Sequence, residues 1–151
     1  MEESQTLKTV TVLLRASQSL QDMVRRDMAT YGLNATEFSV LELLYHKGDQ
    51  PIQTVGKRVL LTSGSMTYVI DRLEAKGYLE RRACPTDRRV TYAALTDEGY
   101  TLMNRLFPAH ERQLQQVLEG LDVTTTITQL KQIGKRADAQ KNLTDYLEFK
   151  K

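Results

Sequence analysis

The sequence is short of cysteine, of long apolar runs and of catalytic signatures. Cys84 is the only cysteine among 151 residues, so no disulfide can form within the chain. That fits a reducing compartment. No apolar run approaches the ~18–20 residues that span a bilayer. The opening MEESQTLKT has no basic segment followed by an apolar core, so it does not read as a secretory signal. A cytoplasmic protein without membrane contact is expected. His46 and His110 stand alone, far apart and without metal-ligand spacing. There is no nucleophile–base pair or paired-acid motif, and Gly64 is not followed by the Gly-Lys-Ser/Thr of a phosphate loop. These absences argue against an enzyme, a metal site and a cofactor. Repeats, low-complexity tracts and long linkers are also missing.

What is present is enough for a core. Hydrophobic residues make up 40% of the chain and charged residues 26%, a balance that excludes global disorder. The net charge of +2 says little by itself, but its distribution says more. Between Val55 and Tyr92 stand eight basic residues (Lys57, Arg58, Arg72, Lys76, Arg81, Arg82, Arg88, Arg89) against four acidic ones (Asp71, Glu74, Glu80, Asp87). The local excess exceeds that of the whole chain, and a concentrated positive field attracts a phosphate backbone.

Helical periodicity dominates. Leu7, Val10, Leu14, Ser17 and Leu20 share a face that Val24 and Met28 continue, predicting a helix from about Gln5 to Thr30 stopped by Gly32. Asn34-Ala-Thr36-Glu37 starts a second, carrying Phe38, Leu41, Leu44 and Tyr45 to Gly48. Pro51 opens a third, with Ile52, Val55, Val59 and Leu60 as its stripe. Thr62 or Ser63 caps a fourth, whose core stripe is Met66, Val69, Ile70 and Leu73 and which Gly77 ends. Tyr78 to Arg82 and Val90 to Leu95 read as strands joined by a turn through Pro85 and Asp87. Thr96-Asp-Glu-Gly begins a long helix that Pro108 interrupts and that resumes through Leu114, Val117 and Leu118 to Gly120. Asp122 caps a last helix with Ile127, Leu130 and Ile133, weakened by Gly134. The fold class is mainly α with a small β-hairpin wing.

The segment from Leu61 to Gly99 carries the functional reading. Two helices joined by a short turn place the second against a major groove. Small residues at its start, Ser63, Gly64, Ser65 and Thr67, let the backbone approach a duplex and offer hydroxyls and amides to phosphate. Thr67 and Tyr68 are placed to reach base edges, and Arg72 to hold the backbone. Arg88 and Arg89 follow Asp87 at the hairpin tip, where an arginine can enter a narrow minor groove. Asp87 can accept from an arginine and fix its direction. Arg81 and Arg82 add charge in the adjacent strand. A different reading of the same fold is a winged-helix module that binds protein, its polar face merely solvated.

The ordered run SGSMTYVIDRLEAKGYLERR, PTDRR and ALTDEG resembles the MarR family of bacterial regulators, named for multiple antibiotic resistance. The matching positions are Asp71 to Glu74, Gly77, Glu80-Arg81, Asp87 with Arg89, and Leu95 to Gly99. The resemblance implies a winged helix-turn-helix homodimer bound to a pseudo-palindromic operator in double-stranded DNA. Residues 1–33 would form an N-terminal dimerisation helix, 34–100 the DNA-binding domain and 101–151 the C-terminal dimerisation helices. It implies interlocking of Leu7 to Leu20 with the region from Leu130 to Phe149. Most members repress until a ligand or oxidation releases them. By position Arg89 resembles the arginine that enters the minor groove, and Thr67 a contact of the recognition helix. Tyr68 departs, since some relatives carry a basic residue there.

Two kinds of sensor follow. Cys84 lies beside Arg81, Arg82 and Pro85, and basic neighbours favour thiolate. A lone cysteine is more often structural, and peroxide-sensing relatives place theirs near the start of the first helix. A small-molecule effector, phenolic in many relatives, is the stronger expectation. Tyr31, Tyr45, His46 and His110 are candidates to line its cleft, although each residue type is commonly half-buried without a ligand.

Overall fold

The computed structural model describes residues 4–59 and 65–149, the last eight as backbone. The chain divides into two compact units, residues 1–110 and 111–151. Among the described residues no helix is long and apolar enough to cross a membrane.

Helix α1 (Gln5–Ala29) starts at Ser4, whose hydroxyl accepts from the Leu7 amide. Helix α2 (Ala35–Lys47) starts with a reciprocal box: Asn34 Oδ1 accepts from the Glu37 amide at 2.8 Å while the Glu37 carboxylate accepts from the Asn34 amide at 3.4 Å. Such caps satisfy helix-start donors and are worth about 1 kcal/mol. Strand β1 (Gln50–Pro51) precedes α3 (Ile52–Arg58), and α4 (Met66–Ala75) follows. Strands β2 (Leu79–Ala83) and β3 (Thr91–Leu95) form the hairpin, and α5 (Asp97–Leu118) and α6 (Val123–Phe149) complete the chain.

The sheet is antiparallel in the order β1-β3-β2, with Leu79 opposite Leu95 and Ala83 opposite Thr91. The pairing of Gln50 with Ala93 and Pro51 with Tyr92 makes β1 an edge, the position where proline is tolerated. Two residues carry no alternation, so this strand left no trace in the sequence pattern.

The core of the first unit gathers Phe38, Val40, Leu41 and Leu44 of α2 with Val55, Val69, Ile70, Leu73, Leu79, Leu102, Met103 and Leu106. Each fully buried large side chain contributes about 1.5–3 kcal/mol. Of the stripe on α1 only Met28 is buried, and Val24 packs beside it. Leu7, Val10 and Leu14 stand exposed.

Three expectations are corrected. Helix α4 begins at Met66, with Ser65 as an N-cap that makes no side-chain cap bond. Thr62 and Ser63, expected as its cap, lie outside the described residues. The third helix ends at Arg58, because Val59 is already extended at φ −84° and ψ 127°. Finally, α5 runs through Pro108 as one helix. The final helix is capped as expected, with Asp122 accepting from the Thr125 amide at 3.0 Å.

The end of α4 is tied to the start of α5. Gly77 takes a φ of +82°. The Gly77 amide donates to the Glu74 carbonyl and the Tyr78 amide to the Leu73 carbonyl, both at 3.0 Å, a closure that left-handed glycine permits. The Thr96 hydroxyl donates to the Gly77 carbonyl at 2.5 Å and accepts from the Gly99 amide at 3.1 Å. The Thr96 amide donates to the Tyr78 carbonyl at 3.2 Å. A Cβ on Gly99 would run into that same Tyr78 carbonyl oxygen. The Leu-Thr-x-x-Gly pattern is therefore a backbone stitch.

Candidate nucleic-acid interface

The exposed face of α4 carries Ser65, Thr67 and Tyr68, while Val69, Ile70 and Leu73 are buried. Tyr68 is 60% exposed. Ser63 and Gly64 lie outside the described residues.

On one flank of α4, Glu37 of α2 holds two cations. Its carboxylate is only 1% exposed. Arg72 Nε donates to Oε1 at 3.1 Å and Lys76 Nζ to Oε2 at 2.6 Å. Lys76 also donates to the Gly32 carbonyl at 2.8 Å. A buried carboxylate requires such partners, since an unpaired charge there is costly. Arg72 Nη1 reaches onward to the Tyr68 hydroxyl at 3.2 Å, with the guanidinium carbon 5.8 Å from the ring centre. The bonds to Tyr68 and then Glu37 hold Arg72 above its ordinary pKa.

On the other flank Arg81 of β2 donates to Asp71 at 2.5 Å and to Glu74 at 2.8 Å. These pairs tie α4 to β2, and the bond to Asp71 foremost raises the Arg81 pKa above its ordinary value. Arg82 donates to Glu80 at 2.5 Å and to Asp49 at 3.2 Å. Much of the basic excess seen in the sequence is thus balanced inside the protein.

The wing tip differs. The Val90 amide donates to the Asp87 carbonyl at 3.1 Å, closing a four-residue turn with aspartate in its favoured first place. Asp87 Oδ1 accepts from the Arg89 amide at 3.0 Å and from Arg89 Nε at 3.2 Å. The side chain of Arg89 is 90% exposed. These bonds from Arg89 hold the Asp87 carboxyl below its usual range. Arg88 is exposed and has no ion pair among the described residues.

Cys84 is half-buried at the wing base. Its thiol is lowered in pKa by the Thr86 hydroxyl, 3.3 Å away, and by the Thr86 and Asp87 amides. The basic neighbours named from sequence are not the cause. Their guanidinium groups turn to Asp71, Glu74, Glu80 and Asp49.

The aromatic candidates fall into three settings. Tyr45 donates to Asn104 at 2.8 Å and shares a ring cluster with His46 and Phe107. His46 is exposed. His110 is 3% exposed, with Nδ1 2.9 Å from Asp27 Oδ2 and its ring edge-on to Phe38. Tyr31 lies under Arg105 at 5.9 Å. A pocket of about 350 Å³ opens nearby in sequence, lined by Tyr78, Asp97, Glu98, Thr101, Leu102 and Arg105, so none of the four candidates lines it. Among the described residues no group of three or more His, Cys, Asp or Glu side chains is arranged to hold a metal ion.

Sequence reasoning missed Glu37 as a site residue. It sits at the third helical position of a capping box, which accounts for it locally. Its partners lie 35 and 39 residues away, and the only signal was the i, i+4 spacing of Arg72 and Lys76.

Comparison with known proteins places this geometry. Residues 33–91 match the model of the MarR family. The chain is 47% identical over 135 residues to the HTH-type transcriptional regulator MhqR of Bacillus subtilis, covering 87% of this chain and 93% of that one. Sco3205 of Streptomyces coelicolor, a MarR family regulator solved in complex with DNA, superposes with a TM-score of 0.77 at 22% identity, over 92% of this chain and 89% of that one. BpsR of Bordetella bronchiseptica, whose DNA binding is regulated by 6-hydroxynicotinic acid, superposes with a TM-score of 0.71 at 25% identity, over 91% and 99%. A helix tied to a basic wing, together with close identity across nearly the whole of a known regulator, means that the chain belongs to the MarR family of winged helix-turn-helix, DNA-binding transcriptional regulators.

Proposed function

We propose that the protein is a homodimeric repressor that grips a pseudo-palindromic operator and releases it on binding a small phenolic ligand. The observation that carries the DNA side is the Arg81 link. It fixes α4 against the wing while Thr67, Tyr68, Arg88 and Arg89 stay exposed. Thr67 and Tyr68, with Ser65 at the helix start, face the major groove, and Ser63 and Gly64 just before them in the sequence add phosphate contacts. Arg89, oriented by Asp87, enters the minor groove, and Arg88 contacts phosphate. Arg72 and Arg81 act mainly through the residues they hold.

Exposed apolar residues support the dimer. Leu7, Val10 and Leu14 line α1, and Val123, Ile127 and Leu130 follow helical spacing on α6. Two-fold symmetry would set the recognition helices about 34–36 Å apart on half-sites about 10 bp apart. BpsR supports the effector class, since a hydroxylated aromatic acid regulates its DNA binding. Tyr31 beneath Arg105, and the cluster of Tyr45, His46 and Phe107, offer aromatic faces of matching chemistry.

The test begins with duplexes selected by the protein from a random-sequence pool. Log affinity should fall with log salt at a slope of about −0.9 per phosphate neutralised. A protein-binding module would select no duplex. Arg89→Ala should weaken binding about ten- to a hundredfold without altering the fold; full affinity in that variant removes the wing assignment. Titration of 6-hydroxynicotinic and simple phenolic acids should release the selected duplex, and unchanged affinity throughout would discard this ligand class.

A further inference from the structure

We propose that Glu37 is a positioning residue for sequence recognition, acting through Arg72 to fix the hydrogen-bond polarity of the Tyr68 hydroxyl. The inference rests on the reading of α4 as the DNA-facing helix. It goes further by assigning a specificity role to a buried residue of a different helix.

The chain of contacts is continuous. The Glu37 carboxylate cannot turn, because Lys76 holds one oxygen at 2.6 Å and Arg72 Nε the other at 3.1 Å. Asn34 Nδ2 adds a longer bond to the Arg72 side at 3.3 Å. A guanidinium is a rigid plane, so pinning Nε fixes where the other nitrogens point. Nη1 then donates to the Tyr68 hydroxyl at 3.2 Å. A phenol has one proton to give and lone pairs to accept with. Arg72 is never a hydrogen-bond acceptor, so the oxygen of Tyr68 must accept from it. The phenolic proton is left to point away, toward whatever meets the exposed ring.

The consequence concerns base choice. An unrestrained tyrosine can serve as donor or acceptor and would tolerate either kind of base edge. Tyr68, held as a donor, favours purine N7, guanine O6 or thymine O4. It disfavours the amino groups of cytosine and adenine. A lysine at position 72 has one nitrogen and cannot hold Glu37 and Tyr68 with the same fixed geometry.

The experiment uses the full chain and a duplex that the wild type selects from a random pool. Affinity is measured for that duplex and for variants in which each major-groove acceptor is replaced by an amino donor. Tyr68→Phe and Glu37→Gln should relax the preference at the same half-site position, each about five- to tenfold, as one neutral hydrogen bond allows. The double variant should relax it no further. For Glu37→Gln, affinity for an unselected duplex, and its salt slope, should stay at the wild-type value. If Glu37→Gln folds poorly, Arg72→Lys, changed at a half-exposed side chain, carries the same prediction. A Glu37→Gln protein that weakens every duplex equally, or keeps its preference where Tyr68→Phe has lost it, overturns the proposal. So does a Tyr68→Phe protein with unaltered preference. A wild type that selects no duplex removes the reading of α4 itself, an outcome distinct from the others.

Discussion

The two flanks of α4 mirror each other in charge and differ in burial. On one, a single anion, Glu37, holds two cations; on the other, a single cation, Arg81, holds two anions. Glu37 is 1% exposed and Arg81 30%. The same number of ion pairs therefore does different work. Removing Glu37 takes away a buried capping group as well as two ion pairs, whereas Arg81 and both of its partners already meet water. The Glu37 flank ties α4 to α2, and the Arg81 flank ties it to β2. The wing tip extends the series, with Arg89 90% exposed and Asp87 37%.

Breaking the buried flank should have the largest effect. Glu37→Ala removes both ion pairs and half of the capping box, and should lower unfolding free energy by about 1–2 kcal/mol, the ion-pair part discounted because Arg72 and Lys76 meet water. The midpoint of urea denaturation measures it. A loss below that of Arg81→Ala would invert the comparison. Arg81→Ala should cost about 0.5–1 kcal/mol, discounted because all three side chains meet water. Salt sharpens the contrast. In about 1 M NaCl, where screening acts over about 3 Å, the Arg81→Ala deficit should nearly vanish while most of the Glu37→Ala deficit persists.

The smallest effect belongs to the wing tip. Arg89 lowers the Asp87 carboxyl pKa only in the folded wing. The pair therefore favours the folded turn at pH values above the ordinary carboxylate range, and that contribution fades as pH falls through the lowered value. A carbon-detected NMR titration of Asp87 should show a depressed midpoint that Arg89→Ala returns upward. An unchanged midpoint would mean that the tip pair does not persist in solution.

The helices, their caps and the hairpin were legible because their signals are local. Asn34 with Glu37, Gly77, Thr96 and Asp122 all act within a few residues of themselves. The start of α4 was less legible. Thr62, Ser63, Gly64 and Ser65 are all competent caps, so composition alone does not choose among them. The partnerships on either flank of α4 were illegible for a different reason. Arg72 read as a contact to the DNA backbone and Asp71 to Glu74 as part of a family motif, and only the fold reveals that Glu37 and Arg81 divide Asp71, Arg72, Glu74 and Lys76 between two flanks. Cys84 shows the same limit, since sequence adjacency to arginines did not predict where those arginines point. Exposure of Thr67 and Tyr68 did follow from periodicity, because both lie off the stripe of Val69, Ile70 and Leu73.

The stitch of Thr96 to Gly77 and Tyr78 makes the hairpin a ring closed at its base. The strands keep Leu79, Ala93 and Leu95 in the core, and only the turn beyond Ala83 and Thr91 is mechanically a detour. Residues can be inserted, deleted or exchanged at the tip without changing the path from α4 to α5. The wing tip is in that sense an attachment whose length is free to diversify while the helix beside it keeps its seat.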